Sequence, residues 1–213
     1  QELPHLHLKA FTAVEICYFA KIAGFSVQKV LTELQKAGLD SMPGGGAEIL
    51  SSRVRSELCP NKATSQEWLD VHRTAHDLGI PTTATMLYGH IETVEERIRH
   101  FLSLRELQDQ TNGFQTFIAL PFHPLHTELE DTITRTSPWE DLKTCAIARL
   151  MLDNFPHIKA YWIMLTLPIA QMALSFGADD LDGTVREEKI THAAGAKTSR
   201  GLTKNTLVDA IRE

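Results

Sequence analysis

The sequence predicts an α/β fold, a partial TIM-type (β/α) barrel of about six βα units, in a single domain that covers residues 1–213. Short apolar segments alternate along the chain with longer segments of helical periodicity, the pattern of parallel strands joined by helical crossovers. Such a series fits either an open doubly wound sheet or most of an eight-unit barrel. The glycine turns do not match GxGxxG, the pattern of dinucleotide-binding sheets, and a barrel is therefore favoured.

The predicted strands are short runs of apolar or alternating residues that end at turn residues. In chain order they are 5–12, 39–42, 80–88, 114–122, 157–165 and 178–184. The first two helices, 13–24 and 26–38, follow with apolar residues at helical spacing, and a third, at about 49–58, follows the PGGGAE turn. Each strand is thus followed by a segment long enough to return the chain to the same edge of a parallel sheet.

Capping boxes predict where the later helices begin, because a Thr or Ser and a Glu three residues on satisfy each other's backbone donors. Thr64–Glu67 opens the helix 66–79. Thr93–Glu96 opens a helix whose predicted inward residues are Val94, Ile98, Phe101 and Leu102. Ser137–Glu140 opens the next helix, with Pro138 at the first helical position, and the helical run continues through 141–155. Two further helices are predicted at 168–177 and 203–213.

Composition limits the classes of function. The chain is 43% hydrophobic and 23% charged, as in globular proteins, and its net charge of −6 argues against a nucleic-acid partner. Its apolar runs are too short for a membrane span, and its start does not resemble a signal peptide. Cys17, Cys59 and Cys145 form no pair motif and suggest reduced thiols. We therefore expect a cytoplasmic protein without a membrane partner.

In a parallel βα barrel the active site lies where the strands end. The polar residues at those positions come from every predicted unit, and loops are polar in any barrel, so function is predicted for the set rather than for single members. The set comprises Thr12, Glu15, Pro43 to Glu48, Tyr88, Gly89, His90, Glu92, Phe122, His123, Met164 to Thr166, Asp180, Asp182, Thr184, Glu187 and Glu188.

The PGGGAE run places Gly44, Gly45 and Gly46 at a strand end, where glycine allows a backbone to approach a ligand closely. Glu48 is then the first side chain able to bond an amine or a hydroxyl. The alternative is a flexible loop without a ligand.

A metal-dependent hydrolase is a second possibility. His5 and His7 share one face of a strand, and with His123 and Asp182 they would supply four zinc ligands. Both histidines, however, come at the start of their strand, the wrong end for a barrel site, so no metal site is favoured. A non-catalytic binding module is a third possibility.

Several stretches resemble one family over essentially the whole chain. LHLKAFTAVEI, MPGGGAEI, EWLDVHRTAHDLGIPTTATMLYGHIET, RELQDQTNGF, LMLDNFPHIKAYW and GADDLDGT resemble the radical S-adenosylmethionine enzymes of the futalosine route to menaquinone. Within this group the runs Phe122–Pro124, His157–Trp162 and Asp179–Thr184 resemble the aminofutalosine synthases. The related cyclic dehypoxanthinyl futalosine and deazaflavin synthases remain alternatives.

The resemblance implies S-adenosylmethionine and a [4Fe–4S] cluster as cofactors. The family's CxxxCxxC cluster motif is absent from these 213 residues, and the resemblance begins near the family's third βα unit. We therefore expect the chain to be the C-terminal two-thirds of the enzyme, without the first two units and the cluster loop, and inactive alone. The barrel edges at 5–12 and 179–184 would then be exposed, which predicts a homodimer or strand exchange.

The resemblance also implies a reaction and site roles. Family members add a 5′-deoxyadenosyl radical to 3-[(1-carboxyvinyl)oxy]benzoate, a small-molecule substrate, to give aminofutalosine. Thr85, Leu87, Gly89 and Glu92 align with a GxIxGxxE pattern that contacts adenine in such barrels. The expected cofactor-binding residues are Gly44, Gly45, Gly46, Glu48, Leu87, Tyr88, Gly89 and Glu92. His123 and Asp182 are the expected catalytic residues, binding a carboxylate or moving a proton.

Overall fold

Three parallel strands form the sheet at the centre of the fold, in the order β1 (Thr82–Tyr88), β2 (Phe114–Pro121) and β3 (His157–Lys159). The structure is a computed structural model that describes residues 5–185, 189–195, 198–199 and 201–212. Isolated parallel bridges extend the sheet order on both sides, pairing Lys9 with Ser41, Met42 with Thr82, and Lys159 with Asp180. The predicted α/β class and the parallel direction of the strands are confirmed.

Helices follow or connect these segments. In chain order they are α1 (Ala13–Ala23), α2 (Val27–Lys36), α3 (Ser52–Leu58), α4 (Ser65–Asp77), α5 (Val94–Thr111), α6 (Pro138–Met151), α7 (Trp162–Leu165), α8 (Leu167–Ala173), α9 (Ile190–Ala193) and α10 (Lys204–Arg212). A 3₁₀ turn, Leu174–Phe176, follows α8. None of the helices in the described ranges combines the length and the apolar character needed to cross a membrane.

The strand predictions differ from the structure at both ends of the sheet. The predicted strands 5–12, 39–42 and 178–184 are reduced to isolated bridges. The predicted strand 157–165 is a strand only over β3, and its second half forms α7, which buries Trp162, Ile163 and Leu165. The reason is that a short, continuously apolar run has no periodicity that separates a buried strand from a buried helical turn.

The two faces of the sheet have different chemistry, because side chains alternate along each strand. The outer face packs against α4, α5 and α6 and carries mostly apolar, buried side chains: Met42, Thr82, Ala84, Met86, Tyr88, Phe117, Ala119 and Ile158. The strand register and the bridges place a second set on the opposite side, which we call the inner face: Lys9, Ser41, Thr83, Thr85, Leu87, Thr116, Ile118, Leu120, Lys159 and Asp180. The inner face is therefore the polar one.

The capping boxes at Thr64–Glu67 and Thr93–Glu96 are both present, as predicted. At Ser137 only half of the predicted box forms: the Ser137 side chain accepts from the Glu140 N–H, while the Glu140 carboxylate pairs with Arg97 at 2.8 Å. A further box, between Thr12 and Glu15, opens α1. These two members of the predicted rim therefore serve helix initiation.

Candidate functional site

A cluster of charged side chains lies on the inner face at the last sheet segment. Lys159 Nζ is 3.3 Å from Asp180 Oδ2 and 3.2 Å from Asp182 Oδ1, and the Lys159 side chain is only 16% exposed. Asp182 has a φ of 72°, and its N–H donates to Asp180 Oδ1 at 2.6 Å. The strain of a positive φ is thus accompanied by a backbone bond that orients Asp182 toward Lys159.

Lys9, in the first sheet segment, is electrostatically linked to this cluster. Partial burial lowers the pKa of Lys9, the charge of Lys159 lowers it further, and the charges of Asp182 and Asp180 oppose these effects. Lys9 in the first sheet segment and Lys159 in β3 thus influence each other electrostatically. Sequence reasoning missed both lysines. For Lys9, the sequence pattern that could have revealed it is strand alternation, which places His5, His7 and Lys9 on one face.

The glycine loop that follows the second sheet segment packs against the inner-face threonines. The Gly44 N–H donates to Thr83 Oγ1 at 2.9 Å, and Thr85 Oγ1 donates to the Gly44 carbonyl at 2.6 Å. A Cβ on Gly44 would lie 2.4 Å from the Thr83 carbonyl oxygen, and Gly46 has a φ of +81°. Gly44 is therefore required because the loop approaches β1 too closely for a Cβ, and Gly46 is required because of its positive φ. The Gly45 carbonyl accepts from Trp68 Nε1 at 3.3 Å.

The buried Arg55 holds the end of this loop from the helix side. Its guanidinium donates to the carbonyls of Gly46 at 3.1 Å and Ala47 at 2.6 Å, and also to that of Ala63. Buried carbonyls need such donors, so Arg55 fixes the loop's conformation. The helical pattern around Arg55 gave no sign of this role.

Glu48 is paired within the protein. Its Oε1 is 2.7 Å from Lys62 Nζ, and its side chain is 17% exposed. The Glu48 carbonyl accepts from the Leu87 N–H at 3.0 Å, which connects the loop to the end of β1. Glu48 and the half-buried Leu87, whose side chain lies on the inner face, are therefore neighbours, as a shared binding surface requires.

Tyr88 lies on the outer face. Its hydroxyl donates to Asp141 Oδ1 at 2.7 Å, and burial, followed by the Asp141 charge, raises the pKa of Tyr88 well above its usual value. The side chain is fully buried, so a contact with a ligand would have to come from the Tyr88 backbone. The neighbouring Gly89 has a φ of +85°, and a Cβ there would lie 2.5 Å from Thr136 Cγ2. Gly89 thus makes room for Thr136.

Glu92 joins the turn after β1 to α5. Its fully buried carboxylate accepts from the N–H groups of Gly89 at 2.7 Å and His90 at 2.9 Å, and from Arg97 Nε at 2.6 Å. Burial raises the pKa of Glu92, but the hydrogen bonds from His90 and Gly89 and the adjacent His90 ring outweigh it and hold the pKa at about 2. The carboxylate is thus engaged in stabilising the turn.

His123 follows β2 and borders a cavity of about 410 Å³. Its Nε2 lies 3.0 Å from the Met164 carbonyl, which also accepts from Arg135 Nη2 at 3.1 Å. The cavity is further lined by Pro124, Leu125, Glu130, Ile133, Arg135 and Gly195. The half-buried His123 is thus oriented by a backbone carbonyl beside open space.

The described residues do not assemble the zinc ligands of the hydrolase alternative. His7 Nε2 lies 2.7 Å from Ser41 Oγ, His123 contacts Met164, and Asp182 pairs with Lys159. No group of three or more His, Cys, Asp or Glu side chains in this part of the chain is arranged to hold a metal ion. Glu187 and Glu188, the last members of the predicted rim, lie outside the described residues.

The cysteines do not fit an iron–sulfur cluster. Burial raises the pKa of Cys17 and Cys59, and it raises that of Cys145 to about 11. A cluster needs thiolates gathered at one point, whereas these residues are separated thiols. The inner face offers different chemistry: ammonium, carboxylate and hydroxyl groups that suit a polar ligand with charged ends.

Comparison with known proteins places the two halves of the chain in related groups. Residues 6–104 match the radical SAM superfamily. Residues 111–213 match the CofH/MqnC C-terminal region. Together the two matches cover the inner-face cluster, the glycine loop and His123.

Curated relatives carry two different names. The chain is 51% identical to the aminodeoxyfutalosine synthase of Thermus thermophilus over 99% of its own length and 58% of that protein. It is 45% identical to the Streptomyces coelicolor enzyme of the same name, over 99% of this chain and 57% of the relative. It is 43% identical to a 5-amino-6-(D-ribitylamino)uracil–L-tyrosine 4-hydroxyphenyl transferase of Methanosarcina barkeri, over 97% of this chain and 56% of the relative. The chain thus spans somewhat more than half the length of these relatives.

Proposed function

This chain belongs to the radical SAM superfamily and carries a CofH/MqnC C-terminal region, and from this premise we propose that it is the substrate-holding part of an aminodeoxyfutalosine synthase. The family implies S-adenosylmethionine and a [4Fe–4S] cluster as cofactors. The cluster ligands are not in this chain, and we propose that preceding βα units supply them and complete the barrel. Alone, the chain would then lack turnover.

The observation that carries the proposal is the 51% identity to an aminodeoxyfutalosine synthase across 99% of the chain. The positions of the three runs that favour this family support it. Phe122–Pro124 follows β2, His157–Trp162 contains β3, and Asp179–Thr184 contains the last bridge. These are neighbouring segments of the sheet, so the runs that separate the related families lie next to one another, where a bound substrate would distinguish them.

A second candidate is the reaction in the name of the archaeal relatives, a 4-hydroxyphenyl transfer between L-tyrosine and 5-amino-6-(D-ribitylamino)uracil. Archaeal proteins with that name are 41–43% identical to this chain. The two candidates differ in the acceptor: a carboxylated vinyl ether in one, a diaminouracil in the other. Substrate binding therefore separates them.

Each polar residue of the site has a distinct task in the proposed reaction. Asp180 and Asp182 hold the Lys159 ammonium at a fixed place on the inner face. His123, oriented by the Met164 carbonyl, presents its ring toward the cavity, where it binds a substrate carboxylate or moves a proton. Leu87 offers an apolar surface for adenine, beside the Gly44–Gly46 loop and Glu48.

When bound, S-adenosylmethionine would supply the 5′-deoxyadenosyl group for addition to the vinyl ether carbon of 3-[(1-carboxyvinyl)oxy]benzoate, with one electron from the [4Fe–4S] cluster. The contribution of this chain is to orient that carbon and to exclude water. Both tasks depend on side chains held in place before the ligand arrives, as Lys159 and His123 are.

The test is a calorimetric titration of the chain with 3-[(1-carboxyvinyl)oxy]benzoate, L-tyrosine and 5-amino-6-(D-ribitylamino)uracil, and an activity assay of the intact enzyme after anaerobic cluster reconstitution. We expect binding of the benzoate, aminofutalosine as product, and lower turnover in His123→Ala and Glu48→Gln. If the chain instead binds the uracil and L-tyrosine, the second candidate function, the 4-hydroxyphenyl transfer, replaces the first. Wild-type turnover in both variants would contradict the roles proposed for His123 and Glu48.

A further inference from the structure

Lys9 is an inner-face cation whose counter-ion is missing from the described part of the protein. It lies in the first sheet segment, paired through its backbone with Ser41, and it remains accessible to solvent. None of the ion pairs formed among the described residues involves Lys9, whereas Lys159 pairs with two aspartates. The two lysines share one face of the sheet but differ in how their charges are compensated.

The nearby aspartates are already engaged. Asp182 Oδ1 accepts from Lys159 Nζ at 3.2 Å and from the Gly183 N–H at 2.8 Å. Asp180 uses Oδ2 for Lys159 at 3.3 Å and Oδ1 for the Asp182 N–H at 2.6 Å. Turning either carboxylate toward Lys9 would break a charge-assisted bond to Lys159 or leave a backbone donor without its partner.

The surroundings of Lys9 disfavour an isolated ammonium. Partial burial, then the charge of Lys159, lowers the pKa of Lys9, and the charges of Asp182 and Asp180 only partly compensate. A negatively charged group placed beside Lys9 would offset both the loss of water and the repulsion from Lys159. Strand register also places Lys9 and Lys159 on the same face, so an anion bound on the inner face would be attracted by both positive charges.

We propose that Lys9 binds a carboxylate of the ligand on the inner face, with Lys159 as a second ammonium that Asp180 and Asp182 hold in position. The proposal rests on the proposed function, since it assigns the carboxylate to 3-[(1-carboxyvinyl)oxy]benzoate, which carries one at each end. Strand register places Lys9 and Lys159 on the same face, and two ammonium groups on one face suit a ligand with two carboxylates. S-adenosylmethionine carries a carboxylate too, and the experiment separates the two sources.

The experiment compares Lys9→Met, which keeps an apolar stem but removes the charge, with Lys36→Met on the exposed surface of α2. Lys9→Arg tests whether charge alone restores binding. Each variant and the wild type are titrated calorimetrically with the benzoate and, separately, with S-adenosylmethionine. Because no described residue pairs with Lys9, thermal unfolding of Lys9→Met should match the wild type, which excludes misfolding as the cause of weaker binding.

We expect Lys9→Met to weaken benzoate binding by about 10-fold or more, the scale of one lost charge-assisted bond, with partial recovery in Lys9→Arg and no change in Lys36→Met. If Lys9→Met weakens the binding of S-adenosylmethionine alone, the assignment is overturned, and Lys9 then binds the methionyl carboxylate. Equal affinity of Lys9→Met and wild type for both ligands would overturn the proposal while leaving the proposed function standing. A wild type that binds neither ligand would remove both.

Discussion

The Tyr88 side chain, at the end of β1, is held in the core by a network of hydrogen bonds. The Tyr88 hydroxyl and Thr136 Oγ1 both donate to Asp141 Oδ1, at 2.7 and 2.6 Å, and Arg135 pairs with the other oxygen at 2.9 Å. Asp141 is buried, so every donor it accepts offsets the cost of keeping a carboxylate away from water. This network ties the end of β1 to the first turn of α6.

Tyr88→Phe removes one donor from the buried Asp141 and keeps the ring. We expect the free energy of unfolding to fall by about 1–3 kcal/mol, the cost of leaving a buried polar group with one partner fewer. Ligand affinity should stay unchanged, because the hydroxyl lies on the outer face. Urea unfolding and calorimetric titration measure the two effects. A weaker ligand affinity at unchanged stability would return Tyr88 to the binding site.

His100 is a buried neutral histidine that connects α5 to the sheet. The Leu50 N–H donates to its Nδ1 at 3.1 Å, and its Nε2 lies 3.1 Å from the Thr85 carbonyl. Burial lowers the pKa of His100 to about 3, against a small opposing effect of the Thr85 carbonyl. The unfolded chain therefore takes up a proton near the usual histidine pKa of about 6.5, while the folded protein does not until far lower pH.

Stability should accordingly be complete above about pH 6.5 and decline as the pH falls toward 3, by about 1.4 kcal/mol per pH unit for His100. His76, with a pKa of about 4, and the buried His72 act in the same direction. Urea unfolding at about pH 7.5 and about pH 5 measures the slope. His100→Gln should flatten it by close to one proton, and His126→Asn, on an exposed turn, should not. An unchanged slope in His100→Gln would contradict this account.

At the scale of elements, the contact between the glycine loop and β1 decides how the site is built. Gly44 lies so close to β1 that a Cβ would come within 2.8 Å of the Ala84 Cα as well as meeting the Thr83 carbonyl. These are backbone atoms of a central strand, which cannot move without disturbing the pairing of β1 with β2. The glycine loop and β1 are thus expected to move together as one rigid unit.

Gly44→Ala should therefore destabilise the protein by roughly 1–3 kcal/mol, the usual range for overpacking in a packed interior, and weaken ligand binding with it. Gly183→Ala is the matched control, because a Cβ there meets no atom within 4 Å. Chemical denaturation of both variants gives the comparison. A Gly44→Ala protein as stable as Gly183→Ala would mean that the loop can shift away from β1.

Sequence patterns predicted some elements well and others poorly, for physical reasons. β1, β2 and the capping boxes of α4 and α5 follow from local chemistry, which Thr64–Glu67 illustrates. The buried face of α5 did not follow: Val94 is 73% and Leu102 50% exposed, while the polar His100 is fully buried because β1 and the loop satisfy its ring. Which residues of α5 are buried thus depends on contacts with residues that are distant in sequence.

The residues of the candidate site likewise include some that local sequence patterns predicted and some that they did not. His123 and Asp182 were predicted because they follow strands, and the structure places His123 beside a cavity and Asp182 beside Lys159. Lys9 and Lys159 were not among the predicted residues, because the electrostatic link between them joins segments that are distant in sequence and that no local pattern connects. Glu92 aligned with a ligand-binding pattern, yet its carboxylate is engaged by Gly89, His90 and Arg97.

At the scale of the whole molecule, the sheet is open at its first segment. Leu6 and Leu8 alternate with the inward Lys9 and are 67% and 44% exposed, although the equivalent outer-face residues Met42 and Ile158 are buried under helices. An exposed apolar strand edge pairs readily with another chain. For the isolated chain, a second copy is an available partner for this edge.

We therefore predict that the isolated chain self-associates through this edge, reversibly and with increasing concentration. Leu8→Lys should shift the protein toward monomer, because a buried lysine without a partner is costly and edge lysines oppose strand pairing. Leu150→Lys, at a 79% exposed site on α6, is the matched control and should associate like the wild type. Sedimentation equilibrium over a range of concentrations distinguishes the cases. A wild type that stays monomeric, or equal effects of the two substitutions, would show that the edge is protected in some other way.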